Sequence, residues 1–340
     1  MLGIKTKLLE LIRKKIYPFF GPGVVRIQPV GYKCNHNCPM CWRLQITNYD
    51  QFTKDPNNQD LSAADYKKLI KNLPFTVRHV EVVGGGEPLL FEGIAELLND
   101  IKINNVYASL ITNGVFLNKN ISLCLIKSQW DLVRVSLNAG SRGIYRITNG
   151  VDDFTKVIEN IKSFMRIRDD HSLPRVSLHY VIQKDNVADI SNFVRLAKNL
   201  EVDEISLDTL LGFSPERVKL SHEDCEIAIN QLKKNKHCFI KNNIDQVLLA
   251  LNNKTMRESN YFEDKYCSIV QRNLDISGNG DVLPCCLSFG YYDALNIKNH
   301  SLSQIWKKYA NFRRDLKKGN FKDFCYKNCT YNLPKKKSIR

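Results

Sequence analysis

Between Val24 and Lys234 the chain repeats one pattern six times: a short run rich in β-branched residues, then a longer run with helical periodicity. The pairs read VVRIQPV and SAADYKKLIKNL, VRHVEVV and GIAELLNDIKI, YASLIT and KNISLCLIKS, DLVRVSLN and FTKVIENIKSFMRI, RVSLHYVI and VADISNFVRLAKNL, EISLDTLL and SHEDCEIAINQLKK. Strands joined through a helix run parallel, because the helix carries the chain back to the starting edge. Six such units predict an α/β fold, a parallel sheet curled into a partial (β/α)6 TIM-like barrel, with its core at residues 24–211. Ligands on such a sheet bind at the carboxyl ends of the strands.

The flanks read differently. Residues 212–266 form a connecting region with one clear helical pattern near Ile244 to Leu251. From Cys267 the βα rhythm gives way to cysteines, SGNGD and FCYKNC, which predicts a small C-terminal cysteine-rich domain over 267–330, followed by a basic tail at 331–340. Residues 1–23 are basic and amphipathic: Ile4, Leu8, Leu11, Ile12 and Ile16 make an apolar stripe opposite a basic face. That stripe suits packing on the barrel, or a weak contact with an anionic membrane surface through residues 1–20. Lys5, Lys7, Glu10, Arg13, Lys14 and Lys15 interrupt it, so it is neither a signal peptide nor a membrane span. A cytoplasmic protein is expected.

Compartment decides how the eleven cysteines are read. In a reducing environment clustered thiols point to metal or catalysis rather than disulfides. Cys124, Cys225 and Cys238 fall singly on predicted helices or a loop and read as ordinary apolar residues. Cys34, Cys38 and Cys41, in GYKCNHNCPMCW directly after the first strand, do not. His36 in the same loop would give a zinc site its fourth ligand, but the spacing is not a usual zinc pattern. Three cysteines on an iron–sulfur cluster leave one iron open to a substrate or cofactor.

CNHNCPMC resembles the cluster loop of the radical S-adenosylmethionine (radical SAM) superfamily: three cysteines with gaps of three and two residues, and a hydrophobic or aromatic residue before the last, here Met40. VVGGGEPLL resembles the family's glycine-glycine-glutamate motif at the second strand end, while LITNG and VRVSLNA end the third and fourth strands where the family has further motifs. The resemblance implies that Cys34, Cys38 and Cys41 hold a [4Fe–4S] cluster whose open iron chelates S-adenosylmethionine. Reductive cleavage would then give a 5′-deoxyadenosyl radical that removes hydrogen from a substrate carbon. It implies that Met40, Gly84, Gly85, Gly86, Glu87, Thr112, Asn113 and Ser136 bind the cofactor, with Glu87 meeting its amino group. Glycines permit close backbone approach to a ligand. Thr112, Asn113 and Ser136 are equally suited to capping the helices that follow them.

Strand alternation extends the reading. If Ser136 faces the interior, so does Arg134, and Val133, Val135 and Leu137 face the helices. The same parity turns Ser177 and His179 inward on the fifth strand, and Ser206 and Asp208 inward on the sixth. His179 and Asp208 are candidate substrate contacts; the alternative is a polar network that only satisfies itself.

Cys267, Cys285, Cys286, Cys325 and Cys329 resemble the auxiliary-cluster domain called SPASM or, shortened, twitch. The full pattern has seven cysteines; the missing middle pair favours the single-cluster form. By position Cys267, Cys285, Cys325 and Cys329 would ligate an auxiliary [4Fe–4S] cluster. Cys286 competes with Cys285, and a structural zinc ribbon is the alternative.

The formal charge of +15 suits an anionic partner, though metal-bound thiolates would lower it. A zinc-dependent nucleic-acid-binding protein is the reading from another class, but interleaved aromatic and basic residues are not evident, so nucleic acid is not expected. Only about twenty-five residues precede the first strand, fewer than the leader-binding module that peptide maturases of this family often carry. A small molecule such as a sugar or nucleotide sugar is therefore the expected substrate, a peptide the alternative, and a flavodoxin- or ferredoxin-type protein the expected reductant.

Overall fold

The structure, a computed structural model, describes residues 20–45, 60–169, 171–210, 214–239, 241–255, 267, 269–288, 294–322 and 325. The N-terminal stripe, the basic tail, residues 256–266 and Cys329 lie outside the described residues. One sheet organises the rest, with strands β1 (Val24–Ile27), β2 (His79–Val82), β3 (Tyr107–Thr112), β4 (Leu132–Ser136), β5 (Arg175–Ile182), β6 (Glu204–Thr209), β7 (Asn273–Ile276), β8 (Asp281–Leu283) and β9 (Leu295–Asn296). Their order is β6-β5-β4-β3-β2-β1-β7-β8-β9, so β6 and β9 are the end strands and the barrel is partial; Lys241 and Asn243 cover the outer edge of β6 through hydrogen bonds to Ile205 and Leu207. β1 to β6 are parallel throughout.

The crossover helices are α1 (Ala63–Lys71), α2 (Ile94–Ile103), α3 (Lys119–Lys127), α4 (Arg142–Asn149), α5 (Phe154–Arg168), α6 (Ile190–Asn199) and α7 (His222–Asn235). α8 (Ile244–Thr255) follows, and α9 (Leu302–Lys308) and α10 (Ala310–Lys317) belong to the C-terminal part. Local chemistry sets several helix starts: Ser62 with Asp65, Ser221 with Asp224 and Ser301 with Gln304 each close a reciprocal capping box. Each box satisfies two otherwise orphaned backbone donors and contributes about 1 kcal/mol. α7 packs on α6, and α8 packs on α7 and β6, so the stretch after β6 continues the core.

Parity divides the sheet into two chemically distinct faces. Val25, Ile27, Val80, Val82, Ala108, Leu110, Val133, Val135, Leu178, Tyr180, Ile182 and Leu207 are wholly buried under the helices. Fully burying a side chain such as Val, Leu or Ile contributes roughly 1.5–3 kcal/mol, and this layer is the main core. The opposite, concave face carries Arg26, Glu81, Ser109, Arg134, Ser136, Ser177, His179, Ser206 and Asp208, with Ile111, Leu132 and Val181 in register among them.

β7 pairs parallel to β1, with Arg26 opposite Asp275, and β8 and β9 continue antiparallel. The cysteine-rich domain thus extends the core's own sheet. An ion triad fastens the join: Arg26 Nε lies 2.6 Å from Glu81 and its Nη1 3.0 Å from Asp275. The C-terminal lobe also has its own small apolar cluster of Cys267, Val270, Phe312, Leu316 and Cys325, with Cys285, Cys286 and Phe321 at its margin. Among the described residues no helix is long and apolar enough to cross a membrane.

Candidate functional site

Cys34, Cys38 and Cys41 sit on the loop leaving the carboxyl end of β1. Their thiols are free. The loop is braced from within: the His36 amide donates to Cys34 Sγ at 3.4 Å, the Cys41 amide to the Cys38 carbonyl at 2.9 Å, and buried Arg43 donates to the carbonyls of Tyr32 and His36. Burial pushes the Cys38 and Cys34 thiols up, and the neighbouring cysteine charges add to this. The three cysteines are thus near enough to affect one another's charge. Among the described residues no three His, Cys, Asp or Glu side chains converge on a single ion. A polynuclear cluster fits the loop better than zinc, because each iron takes its own thiolate whereas zinc needs every ligand within about 2.0–2.3 Å.

His36 is not a fourth ligand here. It is 2% exposed and turned away from the sulfurs, with Nε2 3.3 Å from Tyr145 Oη and 3.9 Å from Asp153 Oδ2. Burial lowers its pKa to about 4, so it is neutral near pH 7. Met40 is half-buried between Cys38 and Cys41.

The loop is also held by elements far away in sequence. A Cβ on Gly86 would lie 1.9 Å from the Lys33 carbonyl oxygen, and one on Gly85 would lie 2.3 Å from that of Gly31. The glycine run therefore lets the end of β2 press against the backbone that leads into the cysteines, and Gly84 turns the run back on itself with Gly86 O 1.6 Å from its ideal Cβ. The sequence leads to the expectation of close approach to a ligand; the approach that the structure shows is to this chain's own backbone. At the end of β3, Asn113 Nδ2 donates to Asn35 Oδ1 at 2.8 Å.

Glu87 occupies the centre of this bracing. Its carboxylate is 2% exposed and accepts from Thr112 Oγ1 at 2.5 Å, the Asn113 amide at 2.8 Å and the Leu89 amide at 3.2 Å. Burial outweighs these donors and raises its pKa to about 7. Thr112 and Asn113 thus reach Glu87 and the cysteine loop. Ser136 faces the concave side, in register with His179 on β5. His179 Nε2 lies 2.9 Å from Asp208 Oδ2, so these two expected substrate contacts are brought together, with Asp208 half-exposed at the rim. Ser177 and Ser206 meet at 3.5 Å one row deeper.

Sequence reasoning missed α4. Its last residue, Asn149, is 1% exposed; its Oδ1 lies 3.7 Å from Cys38 Sγ, its Nδ2 donates to the Leu137 carbonyl at 3.0 Å, and its carbonyl accepts from the Asn37 amide at 3.1 Å. Gly150, at φ +68°, stops the helix where a Cβ would lie 2.4 Å from the Asn37 carbonyl oxygen. Ser141 before this helix and Gly150 after it were the available signals.

In the C-terminal lobe Cys267 and Cys325 are each 8% exposed and share one apolar cluster with Cys285 and Cys286. Burial pushes the Cys325 thiol up, with Cys267 close enough to contribute. Cys286 lies against Cys285 and the Arg26 guanidinium, whose hydrogen bonds lower its pKa. Cys286 therefore borders the ion triad, while Cys285 anchors the turn through its carbonyl, which accepts from Ser288 Oγ at 2.6 Å. Cys225 is buried in the main core and Cys124 and Cys238 pack against it, as ordinary apolar residues do.

Comparison with known proteins agrees with this geometry. The family model for the radical SAM superfamily matches residues 29–197, and that for the SPASM iron–sulfur cluster-binding domain matches residues 267–330. A probable GTP 3′,8-cyclase of Saccharolobus islandicus (strain L.S.2.15 / Lassen #1) is 33% identical over 175 residues, 51% of this chain and 53% of the relative. That of Saccharolobus solfataricus is 30% identical over 217 residues, 61% of this chain and 66% of the relative. The chain thus spans about half the length of the first of these and about two thirds of the second. Among solved structures, Streptococcus suis SuiB bound to precursor peptide SuiA is similar with a TM-score of 0.67 at 19% identity, covering 98% of this chain and 74% of that one. Native anSMEcpe with bound AdoMet gives 0.66 at 18% identity, covering 91% and 87%. At such identity the likeness concerns the fold.

A radical SAM domain implies a [4Fe–4S] cluster and S-adenosylmethionine, and a SPASM domain implies auxiliary iron–sulfur binding. A zinc-dependent nucleic-acid-binding protein is set aside by the same matches. The chain belongs to the radical SAM superfamily and is an enzyme of that family with a C-terminal SPASM domain.

Proposed function

We propose that this enzyme acts on a small polar molecule held on the concave face of the sheet, with Cys34, Cys38 and Cys41 holding the [4Fe–4S] cluster. When bound, the cluster and S-adenosylmethionine supply one-electron reductive cleavage to a 5′-deoxyadenosyl radical. The chain's share is placement. Glu87, ionised, meets the cofactor's ammonium; the glycine run and Asn149 fix the loop; Ser136 and His179 face the space beside it.

The observation that carries the substrate reading is the polarity of the concave face. Arg134, Ser136, Ser177, His179, Ser206 and Asp208 line it, whereas the other side of the same strands is apolar and fully buried. Polar groups placed in a concavity fix the orientation of a polar ligand. The curated relatives are named for a nucleotide, a small and anionic molecule, which supports the same reading. Cys267, Cys285, Cys325 and Cys329 are assigned to the auxiliary cluster, on a lobe that shares the sheet with the first site. The basic chain suits an acidic reductant of flavodoxin or ferredoxin type.

The test is anaerobic reconstitution, with iron, sulfide and zinc counted per chain beside a Cys34/Cys38/Cys41→Ala variant. About eight irons falling to about four is expected, with dithionite-driven formation of 5′-deoxyadenosine lost in the variant. Zinc alone would overturn the assignment. Deuterium transfer from labelled nucleotide sugars into 5′-deoxyadenosine tests the substrate class, and transfer only from labelled peptides would replace it with a peptide.

A further inference from the structure

On the concave face the charged side chains hold one another, with one exception. Arg26 sits between Glu81 and Asp275, Arg175 lies 2.6 Å from Glu204, and His179 lies 2.9 Å from Asp208. His79 Nε2 lies 2.7 Å from Ser109 Oγ. Arg134, at mid-strand on β4, has no such companion among the described residues, and its Nε is buried without a hydrogen-bond partner. In register it stands between Ile111 on β3 and Ser177 on β5, neither of which carries charge. Its field reaches His79 and Glu81 across the sheet, but the Glu81 carboxylate is already 2.6 Å from Arg26.

Arg134 places a cationic guanidinium inside the concavity. Withdrawing such donors from water is costly unless an anion completes them. Arg43, Arg168 and Arg313 also have a buried nitrogen without a hydrogen-bond partner, but Arg134 is the one on the concave face, where a ligand's anion can complete it. Planar donors also select for oxyanions, which they take in a bidentate pair.

We propose that Arg134 is the anion subsite of this enzyme and binds a phosphate or carboxylate group of the substrate. The assignment rests on the reading that the substrate lies on the concave face. Position separates it from the cofactor: Arg134 lies two residues before Ser136, about 7 Å below the strand end, whereas Glu87, Thr112 and Asn113 gather at the strand ends. Ser177 beside it and Ser136 above it can add hydroxyl donors to the same group. The substrate class is thereby narrowed to small molecules that carry an oxyanion.

The experiment is calorimetric titration of inorganic pyrophosphate and of succinate into the anaerobically reconstituted enzyme at saturating S-adenosylmethionine. Wild type, Arg134→Lys and Arg134→Gln are compared. At least one probe should bind the wild type, and Arg134→Gln should weaken it by about tenfold or more, with Arg134→Lys between them. Preference for pyrophosphate indicates a phosphorylated substrate, and preference for succinate a carboxylate. Equal binding by the Gln variant, or no binding of either probe by wild type, overturns the proposal. So does a tenfold loss of S-adenosylmethionine affinity in Arg134→Gln, since the guanidinium would then serve the cofactor.

Two further readouts keep the outcome unambiguous. Without an anion, Arg134→Gln should melt no lower than wild type, because an unpaired charge is being removed; a marked drop would assign Arg134 a structural role instead. Substrate-free cleavage of S-adenosylmethionine under dithionite separates the levels. Absence of cleavage in wild type defeats the functional reading, whereas normal cleavage with no effect of Arg134 on anion binding defeats the subsite alone.

Discussion

The two cysteine regions of this molecule are built in different ways. The loop of Cys34, Cys38 and Cys41 is gripped by the end of β2, by α4 and by Arg43 through contacts to its backbone, and by the end of β3 through the Asn35 side chain. The C-terminal set rests instead in a small apolar cluster with Val270, Phe312 and Leu316. A loop fixed by backbone contacts keeps its shape before metal arrives. β7 to β9 and α9 join the main sheet and core, but the cluster around the thiols is only a handful of side chains, and there metal would contribute folding free energy. We propose that the first site is preorganised by the fold and that the second is completed by the metal it binds.

The largest expected effect tests the grip on the first loop. Gly86→Ala places a methyl group 1.9 Å from the Lys33 carbonyl oxygen, a contact only backbone movement can relieve. Iron at the first site should fall from about four per chain to near none, with 5′-deoxyadenosine formation lost and the auxiliary iron kept. Retention of all iron would show that the glycine run is not what positions the cysteines.

Metal dependence of the second region comes next. Cys325→Ser should remove the auxiliary iron and destabilise the lobe by several kcal/mol relative to its loaded form, seen as rapid proteolysis confined to the segment after about residue 267. Reductive cleavage of S-adenosylmethionine should persist. A lobe that stayed protease-resistant without iron would erase the contrast between the sites.

Asn149 sharpens the comparison at smaller scale. Its side chain joins Cys38, Leu137, Tyr145 and Thr148, so Asn149→Ala leaves several buried groups unpaired. A loss of about 1–3 kcal/mol is expected, read by chemical denaturation, with iron leaving the first site faster under a chelator. Asn149→Asp, which keeps an acceptor near Cys38 but loses the Nδ2 donor, should not restore it.

Much of this architecture was legible in the sequence. YASLIT and RVSLHYVI mark β3 and β5 to the residue, because β-branched alternation there is not diluted by breakers. The cysteine loop fell where strand-end logic put it. α4 was missed because SRGIYRITNG is short and polar, and its meaning lies in contacts to a loop over a hundred residues earlier. Nor does local pattern reveal that β7 returns beside β1, about 250 residues away, because a ladder of backbone pairs with Arg26 opposite Asp275 leaves no mark in either segment alone. The glycines illustrate a third limit: their number forecast a close approach, but not that the approaching group is the chain's own backbone.

The smallest effect concerns protons, and it falls on the first region through Glu87. Burial raises that carboxyl to about 7 in the cofactor-free protein, above the ordinary value of 4.5. A raised carboxyl favours the folded state when protonated: its contribution is full below about pH 4.5 and lost as pH rises through about 7, on the order of 3 kcal/mol across that window. Cofactor binding runs the other way. An ammonium group needs the ionised carboxylate, so below pH 7 each unit of acidity should weaken S-adenosylmethionine binding by about tenfold. Titrations at pH 8 and pH 6 should therefore differ by about tenfold, and Glu87→Gln should bind weakly and equally at both. If wild type shows no such slope, the amino group of the cofactor is held elsewhere, and the three donors around Glu87 serve the cysteine loop alone.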